Sequence, residues 1–246
     1  MTHKLNQIFL FSACATVMSL FTAGAVTVGA CVNNDPLSDY LVSGYSCTIG
    51  DKTFSDFTYT SSASNAVQIT ASGITVDVLN GVTPLDPTGD IGLGFNASWV
   101  ASGANSFTDS VIGFVVTVNS GPLLIEDTGV AQLSGIYGDA NASVVETACG
   151  PAPCAPGPIG VITFDAPDPV GALRTNDATF TAVPSVEVTK DITVQSDAPN
   201  GYAHMSFVAD TFSQTEVPEP RAISLLLTLG LVAGFAFRKK FQGARS

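Results

Sequence analysis

Hydrophobic and polar positions alternate through most of the chain between residues 70 and 210. Ile74, Val76 and Val78 are separated by Thr75 and Asp77, and Leu93, Phe95, Ala97 and Trp99 share one parity while Gly94, Asn96 and Ser98 share the other. Ile112, Phe114, Val116 and Val118 repeat the pattern, as do Val186, Val188, Ile192 and Val194. Side chains alternate across a strand, so each segment offers one apolar face to a core. Turn-forming residues cluster between the segments, as in Asn80-Gly81 and Asp86-Pro87-Thr88-Gly89-Asp90. Short strands with one-sided burial, no long helical period and no internal repeat predict an all-β fold. The expected domain is an antiparallel β-sandwich of jelly-roll type over residues 31–215. Two positions test that pattern. Trp99 shares the apolar parity of Phe95 and is expected in the core. Lys190 sits at the inward parity between Val188 and Ile192. Because an unpaired buried ammonium is expensive, a bulge or edge strand that turns it to solvent is expected there; the other reading pairs it with a buried acid.

The two ends read differently. Lys4 precedes a 14-residue run, Ile8 to Phe21, and small residues follow. That run suits a secretion signal over residues 1–30 and is short for a membrane span. Cleavage by signal peptidase after Sec export is expected after Ala25, from Ala23-Gly24-Ala25, or after Ala30, from Val28-Gly29-Ala30. The latter with Cys31 also matches a lipoprotein box loosely. At the other end Val217-Pro218-Glu219-Pro220 forms an extended tether over residues 216–221, since its prolines neither continue a helix nor donate to a ladder. An apolar run, Ala222 to Phe237, follows and predicts a transmembrane helix of ~24 Å, slightly under a ~30 Å hydrocarbon core. Arg238, Lys239 and Lys240 would stop transfer and stay cytoplasmic within the tail 238–246. The domain between would then face outside the cytoplasmic membrane.

Pro218-Glu219-Pro220, the short apolar helix and the basic end together resemble the PEP-CTERM sorting tail of exported Gram-negative bacterial proteins, also catalogued as an ice-binding-protein C-terminal domain. The resemblance covers about 30 of the 246 residues. It implies recognition of the tripeptide by an exosortase, a membrane-embedded cysteine transpeptidase. Arg221 stands where a small residue is usual, and Phe241 to Ser246 lengthen the tail. The segment Cys47 to Phe57 and Lys190-Asp191-Ile192 are similar to a recurring ectodomain of such proteins, which carries no activity to transfer.

Charge fits an exported surface. Charged residues make up 12% of the chain, about half the usual share, and the formal net charge is −12. Residues 31–220 hold all 21 acidic residues but only Lys52, Arg174 and Lys190 among the bases. Such a domain repels phosphate, which argues against nucleic acid as a partner.

Four cysteines remain once a signal carrying Cys14 is removed. In an oxidising compartment disulfides are the expected use, with Cys31–Cys47 and Cys149–Cys154 the simplest of three pairings and zinc the competing use. Catalytic constellations are sparse. His204 lies alone in a strand pattern, no phosphate-binding loop is present, Glu126 and Asp127 point to opposite faces, and Asp165 with Asp168 falls in a Pro-rich turn. Asp86 and Asp90 are weak calcium candidates that do not match an EF-hand loop. The sequence therefore predicts no cofactor and a non-enzymatic envelope or biofilm-matrix protein, anchored and then sorted through Pro218-Glu219-Pro220. The alternative is a polysaccharide- or calcium-binding sandwich on a plain single-pass anchor, with Trp99 and the tyrosines as stacking surfaces.

Overall fold

The computed structural model describes residues 28–82, 89–119, 121–150, 158–166 and 172–216. Within them the alternating segments become strands. In one sheet these are β1 (Gly29–Ala30), β3 (Ser46–Ile49), β4 (Lys52–Ser64), β7 (Ser106–Val118), β9 (Ala140–Cys149), β10 (Gly160–Ala166) and β12 (Ser185–Ser196). The other holds β2 (Asp35–Pro36), β5 (Thr75–Leu79), β6 (Ile91–Ser102), β8 (Leu123–Tyr137), β11 (Ala172–Val183), β13 (Tyr202–Phe212) and β14 (Gln214–Glu216). Their orders are β1-β3-β4-β7-β12-β9-β10 and β11-β8-β13-β6-β5-β2, with β14 beside β8. All pairs are antiparallel except β1 with β3.

The topology follows from one long folded hairpin. β9 pairs with β10, β8 with β11, β7 with β12 and β6 with β13. The nested pairs fall alternately into the two sheets, which is the arrangement of a jelly roll. A chain wound this way buries the inward parity of every strand against the opposite sheet. Phe54, Phe114, Val116, Val188 and Ile192 come from one sheet, and Phe95, Trp99, Met205, Val208 and Phe212 from the other, into a single apolar cluster. Phe114 is its centre. Its ring stacks on Phe57 at 5.7 Å between centroids and meets Phe95, Phe54 and Phe212 at 6.1, 6.2 and 6.3 Å. Trp99 lies in the core, fully buried, and its indole N–H donates to Ser110 Oγ at 3.0 Å.

Two bulges reset parity. In β4 the register shifts between Ser55 and Thr58, around Asp56 at φ 55°, so that Phe54 and Phe57 both point inward. In β13 the shift lies between Met205 and Phe207. Met205 is buried on the inner side of it, and Val208, Asp210 and Phe212 take the inner side beyond it. The short helix α1 (Leu37–Tyr40) packs Tyr40 edge-on against Phe57 at 5.1 Å. Its hydroxyl donates to Val32 O at 2.8 Å.

The expected outward turn at Lys190 is not what forms. β12 lies inside its sheet, paired to β7 and β9 through Lys190 without a register shift, and Lys190 is fully buried. The reason is compensation, because two acids come to meet it. No helix among the described residues is long and apolar enough to cross a membrane. The expected signal at 1–27, the motif Val217-Pro218-Glu219-Pro220, the helix 222–237 and Arg238, Lys239 and Lys240 lie outside the described residues.

Candidate functional site

Two places in the described structure gather chemistry. The first is on the outer side of the second sheet, where β8 and β13 run side by side. Tyr137 and Tyr202 are direct cross-strand partners, 55% and 37% exposed, with ring centroids 6.1 Å apart at 44°. They border a groove of about 390 Å³ whose floor and walls are Leu133, Ser134, Gly135, His204 and Ser206. Cross-strand aromatics are normally part-covered by each other; here both rings remain accessible, with hydroxyls and an imidazole beside them. Burial pushes the His204 imidazole below its ordinary value, so at neutral pH it is uncharged and offers one donor and one acceptor. A rim of aromatic faces with small hydroxyls suits a neutral polyhydroxylated ligand. Trp99, the other aromatic considered for such a role, is in the core.

The second place is inside the sandwich. Lys190 on β12 and Glu146 on β9 are register partners within one sheet, and Lys190 Nζ donates to Glu146 Oε2 at 2.7 Å. From the opposite sheet Asp210 on β13 brings Oδ1 to 2.7 Å from the same Nζ. Thr128 Oγ1 on β8 donates to Glu146 Oε1 at 2.5 Å. Lys190, Asp210 and Thr128 have no exposed surface, and Glu146 is 1% exposed. The Nζ–Asp210 contact is short but oblique, outside the angular range of a directed hydrogen bond, and Oδ2 has no such partner either among the described residues. The protonation pattern follows from the surroundings. Burial and the adjacent Glu146 charge hold the Asp210 carboxyl well above the usual carboxylate range, against the pull of Lys190. Burial also opposes ionisation of Glu146, but the Lys190 charge and the hydrogen bonds from Lys190 and Thr128 outweigh it and bring Glu146 below its ordinary value. Burial would lower Lys190, yet the charges of Asp210 and Glu146 raise it. These opposed directions favour an ammonium at Lys190, a carboxylate at Glu146 and a protonated carboxyl at Asp210. A proton on Asp210 relieves the repulsion that two buried carboxylates beside a single ammonium would otherwise feel.

The other expected residues distribute as follows. Cys31 and Cys47 form a disulfide, which occupies the sulfur that lipidation of Cys31 would need. Cys149 is also disulfide-bonded, and Cys154 lies outside the described residues. Of the calcium candidates Asp86 lies outside the described residues, while Asp90 lines a cleft with Asp51, Lys52, Ser213 and Gln214. The cation in that cleft is Lys52, whose Nζ is 3.5 Å from Asp51 Oδ1. No group of three metal-binding side chains occurs among the described residues. Asp127 Oδ1 accepts from the Ser213 amide at 3.0 Å. Asp168, and the side chain of Asp165, lie outside the described residues. Glu146 and Asp210 were not legible as partners of Lys190, nor Tyr137 and Tyr202 as a pair, because all three contacts are made between different strands, set by tertiary packing and register.

No protein-family model matches this chain, and no curated protein does. Among solved structures it is similar to the galactotriose-bound module TmCBM61, at 7% identity over 63% of this chain and 88% of that one, with TM-score 0.31. The CBM22-1 xylan-binding domain of Paenibacillus barcinonensis Xyn10C matches at 12% identity over 62% and 85%, with TM-score 0.23. The N-terminal cellulose-binding domain of Cellulomonas fimi β-1,4-glucanase C matches at 13% over 60% and 91%, also with TM-score 0.23. Likeness of this order does not transmit a ligand.

Proposed function

We propose that this chain is an exported, non-enzymatic surface or matrix protein, whose β-sandwich is displayed outside the cytoplasmic membrane and whose C-terminal tail is a sorting signal read by an exosortase. The observation that supports export is the Cys31–Cys47 disulfide, joined by a bonded Cys149, in a domain with almost no surface lysine. Signal cleavage after Ala25 would leave β1 in place, whereas cleavage after Ala30 would remove the strand that pairs Gly29 and Ala30 with Cys47 and Thr48. Intact mass and terminal peptides, measured on protein recovered from the native envelope and medium, test this reading. An N-terminus at Val26 and a C-terminus between Val217 and Arg221 are expected. A C-terminus at Ser246 in the membrane fraction would leave a plain bitopic protein.

A second reading is favoured by one specific feature, the exposed Tyr137–Tyr202 pair over its groove. In it the displayed sandwich holds extracellular polysaccharide by stacking sugar faces on the two rings. A glycan array should show binding to neutral polysaccharide, and Tyr202→Ala should weaken it about tenfold, ~1.4 kcal/mol. An array without a hit, or a Tyr202→Ala protein that binds unchanged, would remove this reading.

A further inference from the structure

Salt bridges are weak reasons to bury three ionisable groups. Two carboxyls and an ammonium removed from water lose more in hydration than a contact between them ordinarily restores. The geometry here also differs from a plain ion pair. The amine nitrogen faces two carboxyl groups in different settings: Glu146 accepts its hydrogen bond, while Asp210 is approached obliquely at 2.7 Å, its carboxyl pushed toward the protonated form by burial and the Glu146 charge. A nitrogen nucleophile, a neutral carboxylic acid and a carboxylate able to move protons between them are the components of amide formation. We propose that Lys190 and Asp210 join through an intramolecular amide bond that ties the two sheets together, with Glu146 carrying the protons.

The step balances without any co-reactant. Glu146 takes one proton from the Lys190 ammonium across the 2.7 Å hydrogen bond. This exchanges a buried ion pair for two neutral groups, which a low-dielectric interior penalises far less than water would. The freed Nζ lone pair attacks Cγ of the neutral Asp210 acid, and the carbonyl electrons move onto oxygen. Glu146 then protonates the departing hydroxyl, which leaves as water when the C–O bond breaks. The new C–N bond sheds its second amine proton to Glu146. One hydrogen stays on the amide nitrogen, one leaves in the water and one remains on Glu146, so net charge is unchanged. Nothing is oxidised or reduced.

Two features of the fold favour the forward direction. Holding the groups in contact removes the entropy of encounter, which is the main obstacle to an uncatalysed condensation. The site is also dry. Val188 and Ile192 flank Lys190 on its strand, Val208 and Phe212 flank Asp210 on its own, and all four are fully buried. Water expelled from there is not replaced at the reacting carbon, and hydrolysis lacks its reagent. Thr128, hydrogen-bonded to Glu146 from the opposite sheet, positions the proton carrier. The reaction occurs once per molecule and is independent of whether the groove binds sugar or the tail is sorted.

Mass spectrometry of the folded full-length chain, reduced before digestion, tests the bond. Trypsin requires a free lysine side chain, so it should skip Lys190 and yield residues 175–221 as one peptide, lighter than its sequence mass by one water. Fragmentation should place the link between Lys190 and Asp210. Glu146→Gln should restore cleavage after Lys190 and the full sequence mass, with Trp99 fluorescence confirming that the variant is folded. Asp210→Asn should lose ammonia in place of water and converge on the same product mass as the wild type. Wild-type peptides at full mass, cut after Lys190, would overturn the proposal. A Glu146→Gln chain that links as completely as the wild type would overturn the role given to Glu146.

Discussion

Phe114→Ala should lower the free energy of unfolding by about 3–5 kcal/mol, the range for truncating a buried aromatic ring. The ring is 1% exposed and lies where the two sheets meet. It touches Phe54 and Phe57 on its own sheet and Phe95 and Phe212 on the other. Those four rings hold one another apart around it, so they collapse little into the space it vacates, and the cavity term adds to the lost transfer term. Trp99 is the single tryptophan of the chain and is fully buried, so its emission reports unfolding directly. A urea titration should show a lower midpoint with an unchanged slope, since the surface exposed on unfolding is nearly the same. A loss below about 1 kcal/mol would mean that the aromatic cluster does not hold the sheets together.

What the alternating pattern could and could not reveal is clear from particular strands. Thr75 to Val78, Leu93 to Trp99, Ile112 to Val118 and Val186 to Val194 lie on strands, β5, β6, β7 and β12, with Ile74 just ahead of the first, because period-two burial is a local property of the chain. Cross-strand partnership is not local. Glu146 is 44 residues from Lys190 in sequence, and register alone brings them together. Asp210 adds a second obstacle. Counting in twos from Met205 places Phe207 and Ala209 inside and Asp210 outside; the bulge between Met205 and Phe207 reverses that, and no single residue there announces it. The outward turn expected of Lys190 rested on the cost of an unpaired ammonium, and that cost is sound. What one strand could not show is that two acids from two other strands share the interior with it. Tyr137 and Tyr202 have the same history, as residues on two strands that only the β8–β13 ladder sets side by side.

Lys190→Met should be as damaging as any single substitution in the protein, by about 3–5 kcal/mol at neutral pH, because it strands Glu146 and Asp210 together in a dry interior. The pH dependence of the loss has a definite sign. Before the amide closes, the Lys190 charge brings Glu146 below its ordinary value against burial; once it has closed, one buried carboxyl remains instead of the two that Lys190→Met leaves. Without that charge both carboxyls are held above the unfolded carboxylate value of about 4, so the folded variant binds more protons than the unfolded chain. Its stability is then greatest below about pH 4 and falls as pH rises from there through the raised folded values. Urea midpoints from pH 4 to pH 8 should therefore decline for Lys190→Met relative to the wild type, and a parallel pair of curves would sink the argument. Replacing the whole cluster, with Lys190→Met, Glu146→Leu and Asp210→Leu together, should remove that decline and recover the part of the loss caused by unpaired charge. It should not recover everything. A covalent tie between residues 190 and 210 closes a loop in the unfolded chain, worth about 3 kcal/mol on loop-entropy grounds. The shortfall of the apolar triple variant against the wild type thus separates the two contributions. A triple variant as stable as the wild type would mean that the cluster holds the sheets by charge alone, and one that falls short by that margin would place the missing stability in the bond between Lys190 and Asp210.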